Sequence, residues 1–292
     1  MAKVFGINTK IRVKVGEYIY RQTKVGTVVS EAPVKPVTPR RSQQQMNIRT
    51  QWANLGAIYK QFDSMLRRGF EELPPHMSVY NAFIQANLGV VKVYITRLMR
   101  INGGAILAPY QITRGSLPSI SMAKNASNIL VSSVRLGTLS ITATTTVAQF
   151  SQAVIDNNTS FLEGDQLTFF HGKQSVDSVT RTPRATITGY KVVLNTADDT
   201  PLWNVVDRIG FSVADNCLAT SEQITNGAAV WVHSRETADN TLKVSTQFFY
   251  VENSALATYQ SNSAILASVN SYGGINSAAV YLQPDLNATV TP

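Results

Sequence analysis

Residues 32–68 read APVKPVTPRRSQQQMNIRTQWANLGAIYKQFDSMLRR, and the organisation of the chain is set here. Three prolines between Pro33 and Pro39 fix φ and push their predecessors to extended geometry, so the segment predicts a stiff polyproline-like arm. Thr38 at an N-cap, with Pro39 at the first helical position, marks a helix start. Beyond it Ile48, Trp52, Leu55, Tyr59, Phe62 and Leu66 recur at spacings of four, three, four, three and four. Such a stripe lies on one face of a helix for about five turns. It suits packing of the helix on its own domain, or a contribution to an oligomer interface. Gly56 weakens the middle. Arg67-Arg68 puts positive charge at the helix C-terminus, Gly69 can end the helix, and Pro74-Pro75 forbids continuation.

Upstream of the arm, Ile11, Val13 and Val15 alternate with Arg12 and Lys14, the period of a half-buried strand. A second run, Glu17 to Arg21, and a third, Thr27 to Ser30, complete a small hairpin or meander. Downstream, a shorter helix is expected from Ser78, with Val79 and Phe83 on one face, and Gly103-Gly104 marks the next break. From about Ile106 the chain reads as strand and turn. Candidate strands are Leu167–Phe170, Ala185–Leu194, Val230–Ser234, Thr241–Val251 and Ala264–Val269. Residues 196–200, Asn226-Gly227 and Asp239-Asn240 are turn signals between them. The predicted fold is α+β: an N-terminal β-hairpin, an extended Pro-rich arm and helices, then a mostly antiparallel, Ig-like β-sandwich. The expected domains are 1–104, 105–270 and a polar C-terminal tail, 271–292.

Charged residues make up only 15% of the 292 residues and apolar ones 44%, which excludes a disordered chain. Much of the polar surface must therefore be Ser, Thr, Asn and Gln. The net charge of +8 conceals an asymmetry. Residues 1–135 hold 19 basic and 5 acidic side chains, and residues 136–292 hold 7 and 13. The single Cys217 cannot form an intrachain disulfide or a multi-cysteine zinc site. The N-terminus has no apolar core of a secretory signal, and no run approaches a bilayer span. The expectation is a soluble protein made in a reducing compartment, with no membrane partner.

Motifs for catalysis are absent from the sequence. There is no Walker loop, dinucleotide fingerprint, zincin helix or nucleophile elbow. His76, His171 and His233 lie far apart, without companions at metal-ligand spacing. Asp198-Asp199 reads as a turn rather than as a pair of catalytic carboxylates. No catalytic, metal-binding or cofactor-binding residues are predicted. An enzyme such as a carbohydrate-active β domain would have only the fold class in its favour.

Before Thr50 the chain carries ten Lys and Arg against Glu17 and Glu31. Such a density neutralises phosphates or docks on an acidic protein surface, unless it is only a solvated face. The rigid arm favours an interaction role, carried by Lys35, Pro36, Pro39, Arg40, Arg41 and Arg49. The helix stripe of Ile48, Trp52, Leu55, Tyr59, Phe62 and Leu66 is the matching candidate interface.

Three segments, Val15-Gly-Glu-Tyr-Ile-Tyr-Arg21, Pro36-Val-Thr-Pro-Arg40 and Gln43-Gln-Gln45 with Arg49, resemble the N-terminal signature of a Bacteroidota family of uncharacterised proteins, chromosomal and phage-borne. Arg114-Gly-Ser-Leu-Pro118, Gly164-Asp-Gln-Leu-Thr168 and the stretch from Val230 through Thr246 also fit it. Some members are similar to structural proteins of crAss-like phages. The polar end after about Asn270 departs from the pattern. The resemblance implies a non-enzymatic virion component, a tail or neck ring or an accessory capsid protein, assembled in the bacterial host cytoplasm. It would assemble as a homo-oligomer and contact portal, ring or capsid proteins. A nucleic-acid-binding protein using the basic N-terminal region is the alternative.

Overall fold

The computed structural model describes residues 12–15, 18–23, 26–31, 43–62 and 69–272. In chain order the elements are β1 (Arg12–Val15), β2 (Tyr18–Thr23), β3 (Gly26–Glu31), α1 (Gln43–Phe62), α2 (Val79–Asn87) and α3 (Arg97–Ile101). Then come β4 (Gln111–Thr113), β5 (Met122–Lys124), β6 (Leu130–Arg135), α4 (Val147–Asn157), β7 (Gln166–Val176) and β8 (Pro183–Val193). After these follow β9 (Ser212–Ala214), β10 (Cys217–Ala219), β11 (Gly227–Glu236), β12 (Leu242–Val244), β13 (Gln247–Phe248) and β14 (Tyr250–Glu252). Two helices, α5 (Leu256–Gln260) and α6 (Asn262–Ser271), close the series. The fold is mixed α+β and strand-rich, with antiparallel strands in several sheets. Among the described residues no helix is long and apolar enough to cross a membrane.

The chain divides into two units. The smaller comprises residues 1–40 and 73–78, and the larger comprises 41–72 and 79–292. In the smaller unit β1, β2 and β3 form an antiparallel meander in which Tyr20 pairs with both Val13 and Val29. Ile19 is buried and its neighbours Tyr18 and Tyr20 are exposed, as alternation along a strand requires. The larger unit holds α1 and α2 together with all the later strands, so the boundary expected after residue 104 falls inside it. The Pro-rich arm, Leu66 and the tail from 273 onward lie outside the described residues.

The centre of the larger unit is the sheet β12-β11-β7-β8, with β14 also on β11. β7 and β8 pair over eleven residues and β7 and β11 over eight. The sheet has two covered faces. Leu167 and Phe169 of β7, Val192 of β8 and Trp231 of β11 share one core with Phe150 and Val154 of α4 and with Leu130, Val134 and Leu218 of the sheet β5-β6-β10-β9. The alternate residues face the other way, where Phe62 of α1 lies between Phe83 of α2, Phe170 and Phe249, at centroid distances of 6.4, 5.4 and 5.7 Å. Thus α1 and α4 lie on opposite sides of one sheet.

Three sequence expectations are corrected. Residues 264–269 belong to α6, not to a strand: Ser261 caps it by accepting from Ala264 N–H, and Val269 packs on Met46 of α1. α4 interrupts the all-strand region. Thr146 and Gln149 form a complete capping box, and Val147, Phe150, Ser151 and Val154 line its buried face. The strand expected over 241–251 is three pieces. β12 and β14 lie along β11 at registers one residue apart, and between them β13 turns away to pair with β4. A one-residue offset of this kind is the mark of a bulge.

The buried segment 105–112 is a loop and strand start whose backbone bonds are supplied by carboxamide side chains. Asn54 accepts from Ile106 N–H and donates to Ile106 C=O, at 2.8 and 3.0 Å. Asn87 does the same for Gln111, and Gln174 accepts from Leu107 N–H and donates to Ala105 C=O. Buried main-chain polar groups need such partners, and here three side chains mimic a neighbouring strand.

Candidate interaction surface

α1 turns a different face inward from the one its apolar stripe predicts. Met46, Thr50, Gln51, Ala53, Asn54, Leu55, Ile58 and Phe62 are buried. Ile48 and Trp52 are 47% and 40% exposed, and Tyr59 is half-buried. The centre of the buried arc is polar because Asn54 holds Ile106 and the Tyr110 hydroxyl, and Gln51 accepts from Gly89 N–H. The predicted stripe runs along one edge of that arc. Leu55 and Phe62 enter the core, Tyr59 packs on Tyr80 and Phe83, and Trp52 donates its indole N–H to the Tyr80 hydroxyl.

The solvent-facing part of this helical layer is one-signed. α1 carries Arg49 and Lys60, α3 carries Arg97 and Arg100, and α2, α5 and α6 carry no charged residue. None of these five helices contains an Asp or Glu. Exposed Lys92 joins the same layer from the α2–α3 connection. Three of the cations converge. α1 and α3 both pack on α6, Ser268 Oγ donates to Ile95 C=O, and Arg97 N–H donates to Ser271 Oγ. At the end of α6, burial raises the pKa of the Tyr272 phenol, against the opposing pull of Arg100, Arg49 and Arg97. Next to Arg97 and Arg100, Leu98 and Ile101, three residues apart on α3, are 67% and 69% exposed. Guanidinium groups next to free aliphatic side chains bind carboxylates or phosphates and offer apolar contact. They supply no nucleophile or base.

Of the predicted arm, only Arg49 falls on described residues, and it belongs to this cluster; Lys35, Pro36, Pro39, Arg40 and Arg41 lie outside them. Arg97 and Arg100 lie outside the predicted set, which follows the basic density before Thr50. The signal was present in the sequence, where no Asp or Glu occurs from Leu73 to Ile155.

Groups capable of acid–base chemistry lie on the other side of the sheet. Asp165 is buried and saturated. Its carboxylate accepts from Arg235 Nε and Nη2 at 2.6 and 2.7 Å, from Leu162 N–H at 2.8 Å, and contacts His233 Nε2 at 2.8 Å. Burial alone would raise its pKa, but these bonds outweigh it and hold the group at about 2. Phe161 stacks on the His233 ring at 4.1 Å. The cluster ties the loop after α4 to β11, with both carboxylate oxygens engaged. A cavity of about 750 Å³ between α4 and residues 136–145 has Asp156 as its single carboxylate. Another of about 220 Å³ is lined by His171, Lys173, Tyr190 and Asp207. Burial and then Lys173 lower the pKa of His171. Among the described residues no three His, Cys, Asp or Glu come together as a metal site.

Comparison of the chain with protein-family models, with curated proteins and with solved structures finds no match in any of the three.

Proposed function

We propose that this chain is a non-enzymatic structural component of a bacteriophage virion, a tail or neck ring or an accessory capsid protein. In this reading it is related to the Bacteroidota and crAss-like phage family it resembles, its second half is an Ig-like sandwich, and it assembles through its arm and helices. The observation that carries the reading is that, among the described residues, the helices of this layer hold cations and no carboxylate, with Arg49, Arg97 and Arg100 all acting on Tyr272 and Leu98 and Ile101 exposed on α3. A protein that worked alone would gain nothing from such a face. An anionic partner relieves its self-repulsion and covers its aliphatic side chains. Low charge density over the rest of the chain lowers the desolvation cost of burying surface between many copies. Electron microscopy of the purified protein tests this: discrete multi-copy particles are expected, and single chains at every concentration, with no binding to virion proteins, would refute it.

The same arginines favour one second reading, binding to a nucleic-acid backbone. That reading predicts affinity whose logarithm falls linearly with the logarithm of salt, with a slope reduced by charge removal at Arg97 and Arg100.

A further inference from the structure

We propose that the basic helical face of one copy docks on the α4 side of a second copy, so that the chain assembles head to tail. This rests on the structural-component reading and names its interface.

The α4 side presents the chemistry that the helical face lacks. Glu163 follows Leu162 in the loop after α4, and Leu162 is 52% exposed. Thr196 N–H donates to the Glu163 carboxylate, which brings the 195–200 loop, with Asp198 and exposed Asp199, to the same place. That loop is fastened to α4, since Asn195 N–H donates to Ser151 Oγ and Ala148 N–H to Asp198 C=O. Of the cations on this side, Arg235 is already committed to Asp165 and Arg208 lies over the Trp203 ring, while exposed Arg135 adjoins the end of α4 through Asn158. Exposed Leu162 thus adjoins Glu163, whose carboxylate holds the loop carrying Asp198 and Asp199, and the helical layer offers Leu98 and Ile101 beside guanidinium groups. Glutamate or aspartate opposite arginine gives paired, hydrogen-bonded charges, while Leu98 and Ile101 meet Leu162. A phosphate backbone would use the arginines and leave the aliphatics wet, which favours a second copy as the occupant. Because the two patches differ and lie at opposite ends of the β7–β8 pair, the chain just after α3 bonding Pro183 at one end and Glu163 holding Thr196 at the other, the contact is heterologous. Repetition closes a ring or extends a filament, and does not stop at a symmetric dimer.

The test uses the full chain and two double variants, Arg97→Glu with Arg100→Glu, and Asp198→Lys with Asp199→Lys. Mass in solution is read by light scattering and folding by circular dichroism. Wild type is expected well above the 31.9 kDa of one chain, and each double variant alone is expected at 31.9 kDa. An equimolar mixture of the two variants regains high mass, because each restores the other's charge pairing. That recovery cannot come from misfolded protein. Variants that assemble as wild type does, or a mixture that stays monomeric, overturn this interface while leaving a structural role standing. Wild type that is monomeric at every concentration overturns this interface, and if it also binds no virion protein the structural role falls with it. Monomeric wild type that retains duplex DNA through Arg97 and Arg100 assigns the face to phosphates instead.

Discussion

Replacing Asp165 by Asn removes the charge at the centre of the buried cluster and keeps its volume. In the native protein the carboxylate accepts from Arg235 twice, from Leu162 N–H, and pairs with His233. Its pKa is about 2 against an ordinary 3.8. At about 1.4 kcal/mol per tenfold in proton affinity, that difference is worth about 2.5 kcal/mol. Deleting one partner of a buried ion pair costs about 3–5 kcal/mol by a separate route, because the remaining charge is left uncompensated. Both figures place the loss at about 3 kcal/mol at pH 7, a large share of a typical stability of about 5–15 kcal/mol. The sign follows from the lowered pKa. The folded state resists protonation, so the stabilisation is complete above about pH 4 and disappears as pH falls from there towards 2. Urea unfolding of wild type and Asp165→Asn at pH 7, 5 and 3 reads this directly. The two curves should lie far apart at pH 7 and 5 and draw together at pH 3. A variant within about 1 kcal/mol of wild type at pH 7, or a gap that persists unchanged at low pH, refutes the assignment of Asp165 as an ionised anchor.

Asn54→Ala should lower stability by about 3 kcal/mol in the same assay, since it strands the Ile106 amide and carbonyl and the Tyr110 hydroxyl in the core. Gly210→Ala places a methyl group into the Phe169 ring, against a backbone already held by the Trp231 indole N–H. A loss of about 1–3 kcal/mol is expected, read as a lower melting temperature. Arg100→Gln should raise the stability of the single chain by about 0.2–0.5 kcal/mol, because it removes a like charge three residues from Arg97, and the gain should shrink in high salt.

Much of the fold was legible wherever a side-chain period and a turn residue agreed. The helix over 43–62 and the one from Val79 follow their apolar spacing, and β7, β8 and β11 contain the apolar runs read as strands. Asn226 and Asn240 adopt positive φ at the turns their sequences signal. The orientation of α1 was not legible, because Gln51 and Asn54 are polar residues buried for bonds to segments 38 and 52 residues away. Apolar periodicity cannot register a carboxamide that stands in for a strand. α4 could have been found from Thr146 and Gln149 with the Val147, Phe150, Val154 spacing, yet short apolar runs among threonines also suit strands. For the interaction surface, the informative feature was not a cluster of arginines but the missing acids around them. That Arg49, Arg97 and Arg100 all act on Tyr272 depends on α6, which packs on both α1 and α3 from far along the chain.

The central claim is that the basic helical face of one copy binds an acidic face of another. The most direct measurement is the solution mass of the wild-type chain as salt is raised from about 50 mM to 1 M, where the Debye length shrinks from more than 10 Å to about 3 Å. Assembly through these charges predicts a multi-copy mass at low salt that falls towards 31.9 kDa as salt screens the contact. A mass of 31.9 kDa at every salt concentration, or an assembly indifferent to salt, would contradict it.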